Sequence, residues 1–594
     1  MAEKSKTNGK KPAQSRGIAI VGMSCIFPGA AGLDAYWQNI VSGVDAIREP
    51  RDEEWNANKY KNKSGANFGK IYCTRGGFIT EYAEFDPLEF GIMPASLKGG
   101  DPDQFLSLRV AAEALADAGY QHKTFKSERA DVIIGRTMAP GVGSMNLIQH
   151  GQTIEQVLDI VRAVAPQLSS EQLSKLENDL HNGLNPCTAD TIPAVMPNIL
   201  SGRIASKLGF QGRNMVLDSA CASSLIAVEA AIDSLESGKA DIALAGGVHI
   251  NSSPYFYQMF CELGALSSSG VIRPFDEDAD GTMLGEGVGM LVLKRLDDAL
   301  HDGNKIYAVI KGIGSSGDGH SGGNLAPNVE GEALAMQRAY TMAEIEPDTV
   351  DLLEAHGTGT PAGDLAEMKA VHKIFGANAA RKSYCAIGSV KSMIGHTQAA
   401  SGIAGLIKVA LALHNKVLPP TLNVRKASSK INWENSPCYI NDKARPWKKP
   451  EHDHLRRAAV SAFGFGGVNA HAVLEEFPSE SGATQTAQAI PAKGKSRAIK
   501  LSLRFPELSA QSVDTSIQMP STPRVGEKPI PVSAIMPAHR SSSSIQSVQA
   551  IPGTQEHPET VLSGYFQALG EFQKRLLSTQ EAVIDNYLSD PGNE

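Results

Sequence analysis

The chain is 594 residues long, 42% hydrophobic and 20% charged, a composition that supports a large buried core and fits a soluble globular protein. Its formal net charge of -8 and the lack of a concentrated Lys/Arg face argue against nucleic acid as a partner, because phosphate contacts need a basic surface. Seven cysteines (Cys25, Cys73, Cys187, Cys221, Cys261, Cys385, Cys438) are scattered and never spaced as CxxC, which indicates neither a disulfide framework nor a zinc site and suits a reducing, cytoplasmic setting; no apolar run is long enough to span a bilayer.

Residues 1–16 are polar and basic and read as a disordered N-terminal tail. From 17 to 478 short β-branched runs alternate with helical patterns and Gly-rich turns, the texture of a layered α/β fold. "GIAIVGMSC" and "RADVIIGRT" read as strands, and "TIEQVLDIVRAVAPQLSSEQLSKLENDLHNGL" as two amphipathic helices joined by a loop. "NMVLDSACASSLIAVEAAIDSL" then predicts strand, turn and long helix, with Cys221 at the turn. "GEGVG" at 285–289 opens no helix, so its glycines are read as allowing close backbone packing rather than as a nucleotide loop.

The order then repeats. "IYAVIKGIGSS", "VDLLEAHGTGT" and "YCAIGSVKSMIGHTQAASGIAGLIKVALAL" match the earlier trio of strand, strand and strand-turn-helix, which predicts a duplicated half with boundaries at about 17–304 and 305–478. Both long helices are expected to start at equivalent places near a shared centre, with Cys221 at one start and His396 at the other. "GHSGG" at 319–323 matches a GxSxG elbow in letters, but no apolar strand precedes it and no helix follows, so Ser321 is read as a loop residue. Residues 479–558, rich in Ser, Pro, Gln and Thr, read as a low-complexity linker. Residues 559–590 place Leu562, Tyr565, Leu569, Phe572, Leu576 and Val583 on a near-heptad stripe, an amphipathic helix for docking or connection.

Cys221 raises the chemical question. A lone cysteine among small residues is often only a buried filler. A helix N-terminus, however, favours the thiolate, and Ala220, Ala222, Ser223 and Ser224 leave room for an acyl group to approach. Two histidines, His356 and His396, also follow apolar runs in Gly/Thr-rich turns, and "SAFGFGGVNAHAVLEE" can offer a backbone N–H to an oxyanion.

"DSACASS", "EAHGTGTPAGD", "GSVKSMIGHT", "RPFDEDADGTMLGEGVG" and "FGFGGVNAH" together resemble the β-ketoacyl synthase (ketosynthase) domains of type I polyketide and polyunsaturated fatty acid synthases, members of the thiolase superfamily. The resemblance covers about 17–478 and implies a duplicated α-β-α-β-α layered fold. It implies that Cys221 is the nucleophile that receives the acyl chain, and that His356 and His396 hold the extender thioester during decarboxylation. Lys391 and Glu367 match the supporting charged residues. The backbone N–H groups of Cys221 and Phe465 would form the oxyanion hole, with Phe463 and Phe465 gating the pocket.

The implied reaction is decarboxylative Claisen condensation with a malonyl-type extender on an acyl carrier protein, with no metal or redox cofactor and the substrates carried on phosphopantetheine. A homodimer is implied, as are separate or downstream acyltransferase and other synthase domains, since the tail shows no acyltransferase, carrier or ketoreductase motif. The chain is expected to be one component of a split synthase or a piece of a longer one. A non-elongating acyl transferase and a catalytically silent carrier scaffold are the alternatives; the presence of Cys221, His356 and His396 speaks for the elongating enzyme.

Overall fold

The computed structural model describes residues 17–61, 71–120, 125–137, 140–189, 191–320, 323, 325–376, 381–449, 454–478 and 497–508. The principal strands are β1 (Ile18–Phe27), β2 (Ala130–Arg136), β3 (Asn214–Leu217), β4 (Ile242–His249), β5 (Gly287–Arg295), β6 (Ala308–Gly317), β7 (Leu352–Glu354), β8 (Cys385–Gly388), β9 (Cys438–Ile440), β10 (Arg457–Gly464) and β11 (Val468–Glu475). The helices that matter for the site are α1 (Pro102–Asp117), α2 (Ile154–Val164), α3 (Ser170–Asn182), α4 (Ser223–Glu236), α5 (Pro254–Glu262), α6 (Val329–Ala343), α7 (Pro361–Phe375) and α8 (Ser401–Asn415).

The strands run in the order β9-β8-β7-β10-β11-β6-β1-β5-β4-β2-β3. Outward from the centre, the first half reads β1-β5-β4-β2-β3, with two antiparallel pairs followed by two parallel ones. The second half reads β6-β11-β10-β7-β8 with the same sequence of pairings. The halves join where β1 meets β6 antiparallel, Ile18 opposite Ile310. The duplication predicted from the two trios is therefore present as a repeated topology.

Side-chain alternation along the strands builds the layers. Ile18 and Ile20 of β1 face a central core that holds Ala227 and Val228 of α4 together with Ile403 and Ile407 of α8. Ala19 and Val21 face the outer core with Phe105 and Leu106 of α1. In the second half Leu353, Met336 of α6 and Val371 of α7 form the opposite outer core. The result is helix, sheet, paired central helices, sheet, helix.

The central helices approach closely because small residues line their starts. Ser401 Oγ donates to Cys221 O at 3.1 Å, Ser224 Oγ accepts the Ile403 N–H at 2.9 Å, and a Cβ on Gly402 would stand 2.8 Å from the Leu225 side chain. Each helix is preceded by a single 3-10 turn, Ala220–Ala222 and Gln398–Ala400, whose first residue is left-handed, φ 49 at Ala220 and φ 47 at Gln398. These two elbows correspond. Ala399 stands where Cys221 stands, and His396 lies just ahead of its elbow rather than at the helix start itself.

The glycines of "GEGVG" serve packing, as expected. A Cβ on Gly285 would lie 2.3 Å from Ile394 O, and one on Gly289 would lie 2.9 Å from Ile403. The predicted helix pair is present as α2 and α3, the latter opened by a capping box of Ser169 and Gln172.

One stretch departs from the sequence reading. Residues 497–508, inside the segment read as linker, are packed on the main body: Ile499–Lys500 pairs antiparallel with Glu84–Phe85, and Leu501 and Leu503 are buried in the first outer core. Gln149 donates to Pro506 O at 2.7 Å, and Leu508 packs against the cluster formed by α2 and α3. The physical reason is a short period-two pattern, Ile499, Leu501, Leu503, that the Ser/Pro-rich average conceals. Residues 1–16, 479–496 and 509–594, which include the tail, the rest of the linker and the 559–590 helix, lie outside the described residues, as does Ser321.

Candidate active site

Strand β3 delivers the chain to Ser219, and the left-handed turn at Ala220 lifts Cys221 out of the strand line before α4 begins. Gly464, at the end of β10, lies against this elbow. A Cβ there would stand 2.5 Å from Ser219 O and 3.3 Å from Cys221 N, so a side chain would push the two apart. That approach brings the backbone N–H of Phe465 onto the Cys221 sulfur, alongside the N–H of Cys221 itself.

Burial pushes the Cys221 thiol up to about 11, against the pull of Lys391 and of those two N–H groups. The thiolate expected from the helix start is thus outweighed by desolvation. The protonated thiol donates to Gln398 Oε1 at 3.6 Å. Below its pKa the thiolate fraction grows tenfold per pH unit, so peptide-resolved alkylation of Cys221 by iodoacetamide should rise about tenfold per unit between pH 7 and 9. A rate that levels off near pH 7.5 would show a thiolate at neutral pH instead.

The histidines come from the second half. His356 follows β7, and Glu367 of α7 clamps its backbone: Oε1 accepts the His356 N–H at 2.7 Å and Oε2 the Gly357 N–H at 2.8 Å. Burial raises the Glu367 carboxyl to about 7 against the pull of these bonds and of Lys391. Glu367 therefore positions the loop rather than the imidazole.

His356 Nδ1 accepts the Phe463 N–H at 3.3 Å, and His396 Nδ1 accepts the Gln398 N–H at 3.2 Å. With both Nδ1 atoms committed as acceptors, each neutral ring carries its proton on Nε2. The rings meet edge to face with centroids 5.5 Å apart. Burial first, and then Lys391, hold both imidazoles well below the usual histidine range.

Lys391 is buried on the short helix Lys391–Ile394; burial lowers its pKa, and Glu354, Glu367 and Cys221 oppose that. Phe463 packs on the His356 ring at 5.6 Å and is nearly buried, whereas Phe465 is 42% exposed, 6.4 Å from Phe260 of α5. All the residues singled out in the sequence thus gather in one place. Sequence reasoning missed Gln398, which binds both Cys221 and His396, and the ion pair Lys408–Glu354 at 2.6 Å beneath them. The signals were present: a glutamine where the first elbow has alanine, and a lysine inside the apolar run "GIAGLIKVALAL".

A duplicated sheet with a cysteine at one elbow and a neutral histidine pair beside it defines a condensing, acyl-transferring enzyme of the thiolase superfamily. Comparison with known proteins narrows the class. The model of the β-ketoacyl synthase N-terminal domain matches residues 15–299, that of its C-terminal domain 307–425, and that of the ketoacyl-synthetase C-terminal extension 428–524. The chain therefore belongs to the β-ketoacyl synthase family, among the ketosynthase domains of type I polyketide synthases.

It is 36% identical to a polyunsaturated fatty acid synthase from a Thraustochytrium species, over 81% of this chain and 17% of that protein. It is also 36% identical to polyketide synthase PksL of Bacillus subtilis, over 78% of this chain and 9% of that protein. The chain thus spans less than a fifth of the length of these relatives. Among solved structures, the ketosynthase from module 6 of the Bacillus subtilis bacillaene synthase is 35% identical with a TM-score of 0.65, covering 78% of this chain and 72% of that one. An oxazolomycin ketosynthase domain from Streptomyces albus is 28% identical with a TM-score of 0.67, covering 79% and 75%. No helix among the described residues is long and apolar enough to cross a membrane.

Proposed function

We propose that this chain is an elongating ketosynthase, catalysing condensation between an acyl group on Cys221 and a malonyl-type thioester on an acyl carrier protein. The observation that carries the reading is the division of donors: two backbone N–H groups at the Cys221 sulfur and two histidine Nε2–H groups beside it.

In the first step the Cys221 sulfur attacks an acyl thioester whose carbonyl oxygen is held by the N–H groups of Cys221 and Phe465. The pantetheine thiolate leaves and takes the proton that Cys221 gives up. In the second step the malonyl thioester carbonyl sits on the Nε2–H groups of His356 and His396. The bond to carbon dioxide breaks, its electron pair becomes an enolate held by the same two donors, and the enolate carbon attacks the acyl carbonyl. Cys221 leaves as the thiolate and recovers a proton, and the β-ketoacyl chain remains on the carrier. Neutral rings suit this role because they donate without first having to lose a proton. The proposed chemistry calls for no metal or redox group.

A homodimer suits the edge strand β3, whose half-exposed residues Met215, Val216 and Leu217 leave backbone groups free to pair with a second copy. Acyltransfer and further processing are assigned to other synthase domains, in a cytoplasmic assembly. The test is intact-protein mass spectrometry after a short acyl thioester and then malonyl carrier protein. An adduct on Cys221 that is discharged as a carrier-bound chain two carbons longer is the expected result. An adduct that persists with several extenders would move the assignment to a non-elongating transferase, and no adduct at all to a scaffold.

A further inference from the structure

Gln398 touches the nucleophile directly, its Oε1 taking the Cys221 S–H at 3.6 Å. The side chain is 4% exposed, and its Nε2 has no hydrogen-bond partner. Its backbone, at φ 47, lies in a region that residues with side chains enter at a cost, and that turn aims its N–H back to His396 Nδ1. The fold itself does not call for an amide here, since the corresponding residue of the first elbow is Ala220 and the neighbours Ala399 and Ala400 are small.

Acylation changes what this side chain can bond. An S–C bond replaces the S–H, so Oε1 loses its donor while Nε2 still lacks an acceptor. The buried carboxamide then faces the first carbons of the acyl chain with a donor and an acceptor both open. A hydrocarbon satisfies neither. A hydroxyl satisfies both, accepting from Nε2 and donating to Oε1, and a site built this way discriminates strongly against the analogue that lacks it.

We infer that, resting on the ketosynthase reading, Gln398 selects acyl groups that carry a hydroxyl on the third carbon. That is the carbon on which the reaction's own product carries its keto oxygen. The donor is then a β-ketoacyl product to which a separate nicotinamide-dependent reductase has added hydride at the third carbon and a proton at its oxygen, delivered without loss of water.

The test compares acylation of Cys221 by the N-acetylcysteamine thioesters of 3-hydroxybutyrate and butyrate, read by intact mass as kcat/KM. The expected ratio favours the hydroxyacyl thioester by about tenfold or more, and Gln398→Leu brings it below one by slowing the hydroxyacyl donor and favouring butyrate. Wild-type ratios within about threefold of unity overturn the inference without recourse to any variant, while leaving the ketosynthase reading intact. A preference that survives in Gln398→Leu also overturns it, because the selection would then lie elsewhere. Failure of either thioester to load Cys221 overturns the ketosynthase reading and this one with it.

Discussion

Cys221→Ala is expected to abolish acyl-enzyme formation and condensation while carbon dioxide release from malonyl carrier protein continues; His396→Ala is expected to do the reverse. The dissociation follows from the two sets of donors. Loading uses the sulfur and the N–H groups of Cys221 and Phe465, none of which belongs to a histidine side chain. Decarboxylation uses the Nε2–H groups whose orientation is fixed by Phe463 N–H on His356 and Gln398 N–H on His396. Removal of one such donor from a desolvated site lowers a rate by about 10²–10³-fold, or roughly 3–4 kcal/mol of transition-state stabilisation. His356→Ala should fall in the same range, and acylation in both histidine variants should stay within about tenfold of wild type, since their loss leaves the acyl oxyanion donors in place. The measurement is trapped carbon dioxide beside intact-mass acylation for the same three proteins. Loss of decarboxylation in Cys221→Ala, or of acylation in both histidine variants, would show one shared site rather than two and would refute the division of roles.

The parts of this site that could be read from sequence are those whose chemistry is carried by residue type at a fixed place in a repeated frame. Cys221, His356 and His396 each follow an apolar strand in a turn of small residues, and a strand-turn-helix pattern is local enough to be read from letters alone. Lys391, Glu367, Phe463 and Phe465 came by resemblance, and their positions show why spacing could not supply their roles. Glu367 acts on backbone N–H groups eleven and ten residues away, a bond that exists only once α7 folds back on the loop after β7. The thiolate expected at Cys221 failed for a related reason: the helix start is visible in the sequence, but the burial that opposes it comes from the central helix layer, a tertiary property. The 497–508 segment failed on scale, because a three-residue alternation is too short to stand out against a polar background.

Gln398 shows the complementary lesson. Its significance emerges only when the two halves are laid over each other, so that an alanine in one elbow exposes the glutamine in the other as a choice the fold did not require. Duplication supplies an internal control that a single sequence otherwise lacks. The correspondence also explains why the second elbow has no nucleophile: Ala399 occupies the place of Cys221, which frees its surroundings to position His396.

Glu354→Gln is expected to destabilise the protein by about 3–5 kcal/mol, because Lys408 would keep a buried ammonium with its counter-charge removed. Lys408 is 1% and Glu354 3% exposed at the side chain, the Nζ–Oε2 distance is 2.6 Å, and Glu354 Oε1 also accepts the Val390 N–H at 2.7 Å. The amide of glutamine can still accept that N–H, so the cost isolates the charge. Replacing both partners, Glu354→Gln with Lys408→Met, removes the stranded ammonium and should recover most of the loss, to within about 1–2 kcal/mol of wild type. Urea midpoints at one protein concentration give the comparison, and a single variant that costs under about 1 kcal/mol, with no recovery in the double, would show the pair to be dispensable for stability. The same carboxylate is the first of the groups that oppose the burial of Lys391, which in turn pulls on Cys221 and depresses both histidines. The double variant should therefore regain stability without regaining full condensation activity. A pair placed two residues before His356 on one side and within α8 on the other would then serve two ends at once, tying the sheet to the central helix and holding the charge that keeps the site in register.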